Sequence, residues 1–102
     1  MRRYIISAPA LQDLQDIIDY FAVTNVETGD RFLSKFNARC QKLRSFPAIG
    51  KRYDGLSLGL RGVLIDEYIM FYKATDDLVE IVRIVHGKRD LFALFQPNNL
   101  ES

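Results

Sequence analysis

The stretch LRGVLIDEYIMFYKATDDLVEIVRIVH, residues 60–86, decides the fold. β-Branched and aromatic residues fill three runs, 60–65, 68–74 and 78–86, and only Asp66-Glu67 and Thr75-Asp76-Asp77 separate them. Gaps this short join antiparallel neighbours, so the stretch predicts a three-stranded meander. In the middle run Tyr68, Met70 and Tyr72 alternate with Ile69 and Phe71. In the last, Leu78, Val82 and Ile84 oppose Val79, Ile81 and Val85, with Arg83 among them. Side chains of a strand alternate between faces, so both faces of this sheet are apolar.

Upstream, residues 3–7 form a short strand that ends at Ser7-Ala8-Pro9, and Pro9 suits the first turn of a helix. Leu11, Leu14, Ile17, Ile18 and Phe21 then recur at helical spacing, with Asp13, Asp16 and Asp19 on other faces. Thr24-Asn25-Val26 breaks the pattern, and Asn25 or Thr24 caps a second helix that runs to about Ser45. Phe32, Leu33, Phe36, Cys40 and Leu43 share one of its sides; Arg31, Lys35, Arg39 and Lys42 form a basic ridge on another. The ridge reads as a solvated face balanced by the acidic first helix. Phe46-Pro47 stops the helix, and Gly50, Gly55 and Gly59 make PAIGKRYDGLSLG a long loop. Residues 88–95 predict a brief helical turn, and QPNNLES a frayed end.

The expected architecture is therefore α+β, in the order β-α-α-β-β-β, with a helical hairpin on one face of a small, mainly antiparallel sheet. The hairpin leaves the second face to be covered by the tail, another copy of the chain or a separate protein. The chain has 102 residues, which fits one domain. With 48% hydrophobic and 26% charged residues it is too apolar to be disordered. A formal net charge of +1 gives no general attraction to nucleic acid, so strong direct DNA binding is not expected. No apolar run approaches the ~20 residues of a membrane span, and the apolar stretch after Arg2-Arg3 is too short for a signal peptide, so a cytoplasmic location is expected. Cys40 is the sole cysteine and sits among apolar helix positions, which reads as core packing.

Chemistry concentrates in HGKRDLF, residues 86–92, where the only histidine meets two cations at the end of the last strand. Histidine ordinarily exchanges protons near neutral pH, and Lys88, Arg89, Arg61 and Arg83 supply positive charge for a phosphate in an RNA-cleaving site. A structural role is open beside this one. His86 can close a strand end by bonding a backbone carbonyl, Arg61 or Arg83 can pair with Glu80 or Asp90, and Asp90 can cap the tail helix. Nucleophile elbows, phosphate-binding glycine loops and paired metal-binding histidines are absent, so neither cofactor nor metal is expected.

The element order, with SAPALQDLQDIIDYFA, GDRFLSKF, FPAIGKR and LGLRGVLIDEYIMFYKATDDLVEIVRIVHGKRDL, resembles the ParE branch of the RelE/ParE toxin superfamily across nearly the whole chain. That resemblance implies a growth-inhibiting toxin of a plasmid-stabilising pair, encoded beside a DNA-binding, ParD-like antitoxin whose tail wraps it. It implies DNA gyrase as the target; in the RelE branch the target is messenger RNA in the ribosome. Lys88 and Arg89 match the basic pair that RelE carries after its last strand. Ile69 stands where RelE has an arginine, and Phe92 and Phe95 where RelE offers a tyrosine. Arg61 and the run His86 to Asp90 follow the ParE pattern. On this reading Arg61, Arg83, His86, Lys88 and Arg89 contact a target or partner, and no residue is catalytic. The RelE-like alternative makes His86, Arg89 and Arg61 the catalytic set.

Overall fold

The computed structural model describes residues 2–95. Strand β1 (Arg3–Ile6) leads into helices α1 (Ala8–Thr24) and α2 (Val26–Ser45). Strands β2 (Lys51–Arg52), β3 (Arg61–Ile65), β4 (Tyr68–Ala74) and β5 (Leu78–His86) follow, then a one-turn helix α3 (Leu91–Leu94). The five strands lie in the order β1-β5-β4-β3-β2. β1 runs parallel to β5, and the other pairs are antiparallel. The α+β reading holds, and the meander falls where its turns place it. One correction concerns residues 47–59, read as loop throughout: Lys51 and Arg52 pair with Gly62 and Arg61 as a two-residue edge strand.

Local chemistry accounts for the helix ends. Ser7 caps α1 by accepting from the Ala10 N–H, with Pro9 in the first turn, where its missing donor costs nothing. Asn25 ends α1 and caps α2, its side chain accepting from the Thr28 N–H, so one residue makes the whole turn of the hairpin. Gly29 lets the helices close: a Cβ there would lie 2.9 Å from that of Phe21. In the two-residue β3–β4 turn Asp66 adopts φ 54°, a left-handed conformation that Asp tolerates.

The hairpin packs on one face of the sheet. Ala10, Ile17, Phe32, Phe36, Cys40 and Leu43 meet Ile65, Met70, Tyr72, Val79, Ile81 and Ile84. Leu11, at 56% exposure, and Leu33, at 39%, sit at the margin of the stripes that predicted them inside. Burial pushes the Cys40 thiol up to about 12, as suits a core residue.

The second face is covered by the chain itself, so of the three covers that the sequence left open the tail is the one used, with the long loop beside it. Leu60, Ile69, Phe71, Val85, Leu94 and Phe95 form a second core, with Tyr53, Leu56, Val82 and Leu91 packed against it. The long loop and the tail turn supply this cover, and Phe95 meets Phe71 edge-on at 5.0 Å between ring centres. The Gly59 N–H and the Arg52 guanidinium hold the loop's Asp54 carboxyl below the usual carboxylate range. A second correction concerns β5. Its register against β4 slips at Phe71/Tyr72, with Arg83 opposite Phe71 and Ile81 opposite Tyr72. The extra residue, Val82, breaks strict alternation. Ile84 therefore joins Val79 and Ile81 on the helix side, and Val82 joins Val85 on the other.

Candidate functional site

The four cations and one imidazole singled out by sequence do not converge. Arg61 lies opposite Tyr72 and His86 opposite Tyr68, at opposite ends of β4. Four residues along a strand and two strands across put their Cα atoms about 16 Å apart. The Arg61 guanidinium points to the 47–50 loop, donating to the Ala48 carbonyl at 3.2 Å and the Gly50 carbonyl at 2.8 Å. It pairs with neither Glu80 nor Asp90.

Arg83 is committed as well, and to a residue that sequence reasoning passed over. Asp13 accepts from Arg83 Nε at 2.7 Å and Nη2 at 3.0 Å, and also from the Ile84 N–H at 2.9 Å. Both side chains are nearly buried, at 12% and 13% exposure. β1 stops opposite Ile81, leaving the edge of β5 beyond it without a strand neighbour; the α1 carboxylate takes up the Ile84 donor there. The predicted partners of Arg83, Glu80 and Asp90, are not used. Asp13 had one legible signal: three residues after Ala10 and four before Ile17, it stands within the buried stripe of α1.

At the end of β5, His86 Nδ1 accepts from the Lys88 N–H at 3.2 Å. This leaves Nε2, 3.4 Å from Glu67 Oε2, to carry the proton. The bond is to a backbone donor, not to the carbonyl that sequence suggested. The ring also packs edge-on against Tyr68 at 5.4 Å. Gly87 N donates to the Glu67 carbonyl and Arg89 N to the His86 carbonyl, so the turn is closed by its own backbone. Asp90 caps α3 by accepting from Ala93 N, as expected. Lys88 and Arg89 remain exposed, and among the described residues the side chain of neither takes part in a hydrogen bond or ion pair. Arg89 borders an open groove of about 500 Å³ lined also by Ala8, Pro9, Gln12, Asp13, Asp16 and Arg83.

Two positions of the RelE pattern are structural here. Ile69, 6% exposed, is part of the second core, and so is Phe95. Phe92 is 65% exposed and carries no proton donor. Among the described residues no three His, Cys, Asp or Glu side chains gather as a metal site, and no helix is long and apolar enough to cross a membrane.

A second organised feature lies at the far end of the sheet. Tyr72, fully buried, donates its hydroxyl to the Pro47 carbonyl at 2.6 Å and accepts from the Gly50 N–H at 2.9 Å. Burial raises its hydroxyl above the usual tyrosine range, partly offset by the Gly50 N–H and by Arg61. Tyr72 and Arg61 together hold all four residues of the 47–50 turn except Ile49, whose N–H bonds the Phe46 carbonyl. No sequence signal marks this network, since its partners are backbone atoms of a loop.

The basic ridge of α2 is largely exposed, as a solvated face should be, but α1 does not balance it. Of the α1 carboxylates, Asp13 pairs with Arg83, while Asp16 and Asp19 accept from Gln12 and Gln15. Among the described residues none reaches a cation of α2. Only Lys35 is neutralised, by Asp66 of the β3–β4 turn.

Comparison with solved structures finds a chain described as the chromosomal ParDE toxin–antitoxin system of P. aeruginosa. It aligns with a TM-score of 0.69 and 16% identity, over 84% of this chain and 95% of that one, a likeness of fold. Curated proteins give no match. The family model for the ParE toxin of the type II toxin–antitoxin system parDE matches residues 4–91. That span takes in both long helices, the sheet apart from Arg3, and the His86 turn, and the chain belongs to the ParE toxin family.

Proposed function

We propose that this ParE-family toxin acts by binding, that its target is DNA gyrase, and that a ParD-like, DNA-binding antitoxin silences it in the cytoplasm. The observation that carries the reading is the dispersal of the polar set. Cutting RNA requires a proton acceptor, a proton donor and a cation about one phosphate. Here Arg61 is spent on loop carbonyls about 16 Å from His86. His86 Nδ1 is taken by a backbone donor. The ParE family membership favours gyrase over the ribosome.

Lys88 and Arg89 are the contacts we assign to the target, with His86 positioning their turn; Arg61 and Arg83 act through the loop and α1. Purified gyrase is expected to lose supercoiling, or to accumulate cleaved DNA, when the chain is added. Lys88→Ala with Arg89→Ala should relieve this by about tenfold or more, the usual effect of removing charged contacts at an interface. Unimpaired gyrase together with new transcript ends that vanish in His86→Ala would sink the proposal and establish the nuclease alternative.

A further inference from the structure

The turn that carries Lys88 and Arg89 is locked to a second turn, the one between β3 and β4. Tyr68 and His86 form the last pair of the β4–β5 ladder, so Glu67 and Gly87 meet just beyond it. The Gly87 N–H donates to the Glu67 carbonyl at 2.9 Å, and a Cβ on Gly87 would lie only 3.3 Å from that oxygen. Glycine lets the two backbones close there. The other residue of the β3–β4 turn, Asp66, is held from α2 by Lys35 Nζ at 2.6 Å. Glu67 therefore projects from a turn fastened on two sides, although its own side chain is 81% exposed.

The Glu67 carboxylate stands 3.4 Å from His86 Nε2, while on the other side of the ring the Lys88 N–H donates to Nδ1 at 3.2 Å. Edge-on packing against Tyr68 sets the orientation of the ring. A neutral imidazole carries one proton, and only the form with that proton on Nε2 can accept the Lys88 N–H. A carboxylate beside Nε2 favours this form and makes Nδ1 the better acceptor, since each bond of such a chain polarises the next. Burial, then Tyr20 and Glu67, raise the Tyr68 hydroxyl above the usual tyrosine range, which agrees with a Glu67 charge directed at this corner.

We infer that Glu67 is a positioning residue: it keeps the proton of His86 on Nε2, so that Nδ1 fastens the Lys88 amide and the turn presents Lys88 and Arg89 in one arrangement. Its effect on inhibition rests on the reading of these two cations as target contacts. Charge alone argues for the opposite effect. An acidic side chain beside two cations weakens their attraction for an acidic surface, and its removal should then strengthen binding. Side chains presented by a closed turn lose less freedom on binding, so a loosened turn binds more weakly. The two effects differ in sign, which makes the role measurable.

The test compares Glu67→Ala and Glu67→Gln with the parent chain. Both variants lose the same charge, but glutamine keeps an oxygen that can accept from the Nε2 proton. His86 is the sole histidine, so the nitrogen resonances of the neutral imidazole report its tautomer without ambiguity. Glu67→Ala is expected to shift them toward a mixture of tautomers, to speed hydrogen exchange of the Lys88 amide several-fold, and to weaken gyrase inhibition several-fold. Its unfolding midpoint should stay in place, because the side chain is exposed. Glu67→Gln should remain near the parent chain in all of these. Unmoved imidazole resonances and Lys88 exchange in Glu67→Ala, or inhibition that strengthens equally in both variants, would overturn the inference. A parent chain that leaves gyrase unimpaired would count against the target alone, and the two spectroscopic measurements would still decide the role of Glu67.

Discussion

Replacing Tyr72 with Phe removes one oxygen and tests how the 47–50 turn is held. The Gly50 N–H loses its partner inside a buried site, which costs about 1–3 kcal/mol for an unsatisfied donor. The Pro47 carbonyl is only part-buried, so water takes over that bond and the loss there is about 0.5 kcal/mol. The sum is about 1.5–3.5 kcal/mol, or a fall in Tm of roughly 6–28 °C for a domain of this size. Urea unfolding followed by circular dichroism measures it. Hydrogen exchange should show the Gly50 amide losing protection before β4 does. The variant should also lose the alkaline instability that Tyr72 confers. A hydroxyl raised above its ordinary value gives stability that is whole below about pH 10 and is lost as pH climbs toward the folded value. A loss under about 0.5 kcal/mol, with Gly50 still protected, would refute the claim that this hydroxyl fixes the turn.

Further outcomes follow from the same contacts. Asp13→Ala should cost about 2–4 kcal/mol, since it strands a nearly buried guanidinium and the Ile84 donor; Arg83→Met in the same chain should recover part of the loss, as urea midpoints would show. Gly50→Ala should destabilise by about 2 kcal/mol or more, because the new Cβ would lie 2.6 Å from the Tyr72 hydroxyl and 3.0 Å from the Gly62 carbonyl, read as a lower unfolding midpoint. Cys40, with a thiol near 12, should resist thiol reagents at pH 8 and react only as fast as the fold opens, so labelling should accelerate with urea in step with unfolding. Its raised value also gives stability that is full below about pH 8.5 and declines as pH rises toward 12, a slope that Cys40→Ala should lessen.

The meander was legible because its signal is local. Runs of β-branched and aromatic residues bounded by short polar gaps specify strands and turns wherever the rest of the chain goes. The helix caps were legible for the same reason, Asn25 and Asp90 each bonding a backbone group three residues on. Alternation in β5 was misread because a bulge at Val82 depends on how two strands meet, and nothing in EIVRIV announces the slip. The cover of the second face could be narrowed only to three candidates, because a loop and a one-turn helix are too short and irregular to show a period. The site was the least legible. The Asp13–Arg83 pair spans seventy residues of sequence and Tyr72–Gly50 twenty-two.

Reactive-looking residues and available residues turn out to be different sets in this chain. Arg61, Arg83 and His86 drew notice because arginine and histidine near a strand end suggest chemistry, yet each is bonded to the protein itself. A cation held by a carboxylate or a carbonyl must give up that bond to serve a ligand, at a cost of about 0.5–3 kcal/mol. Among the described residues Lys88, Arg89 and Lys42 make no such bond, so binding through them does not first have to break one. Charge reversal at Lys88 and Arg89 should therefore impair binding while leaving the unfolding midpoint in place, whereas substitution of Arg61 or Arg83 should lower the midpoint first. If Arg83→Ala abolished gyrase inhibition at full stability, the division between structural and available cations would be wrong.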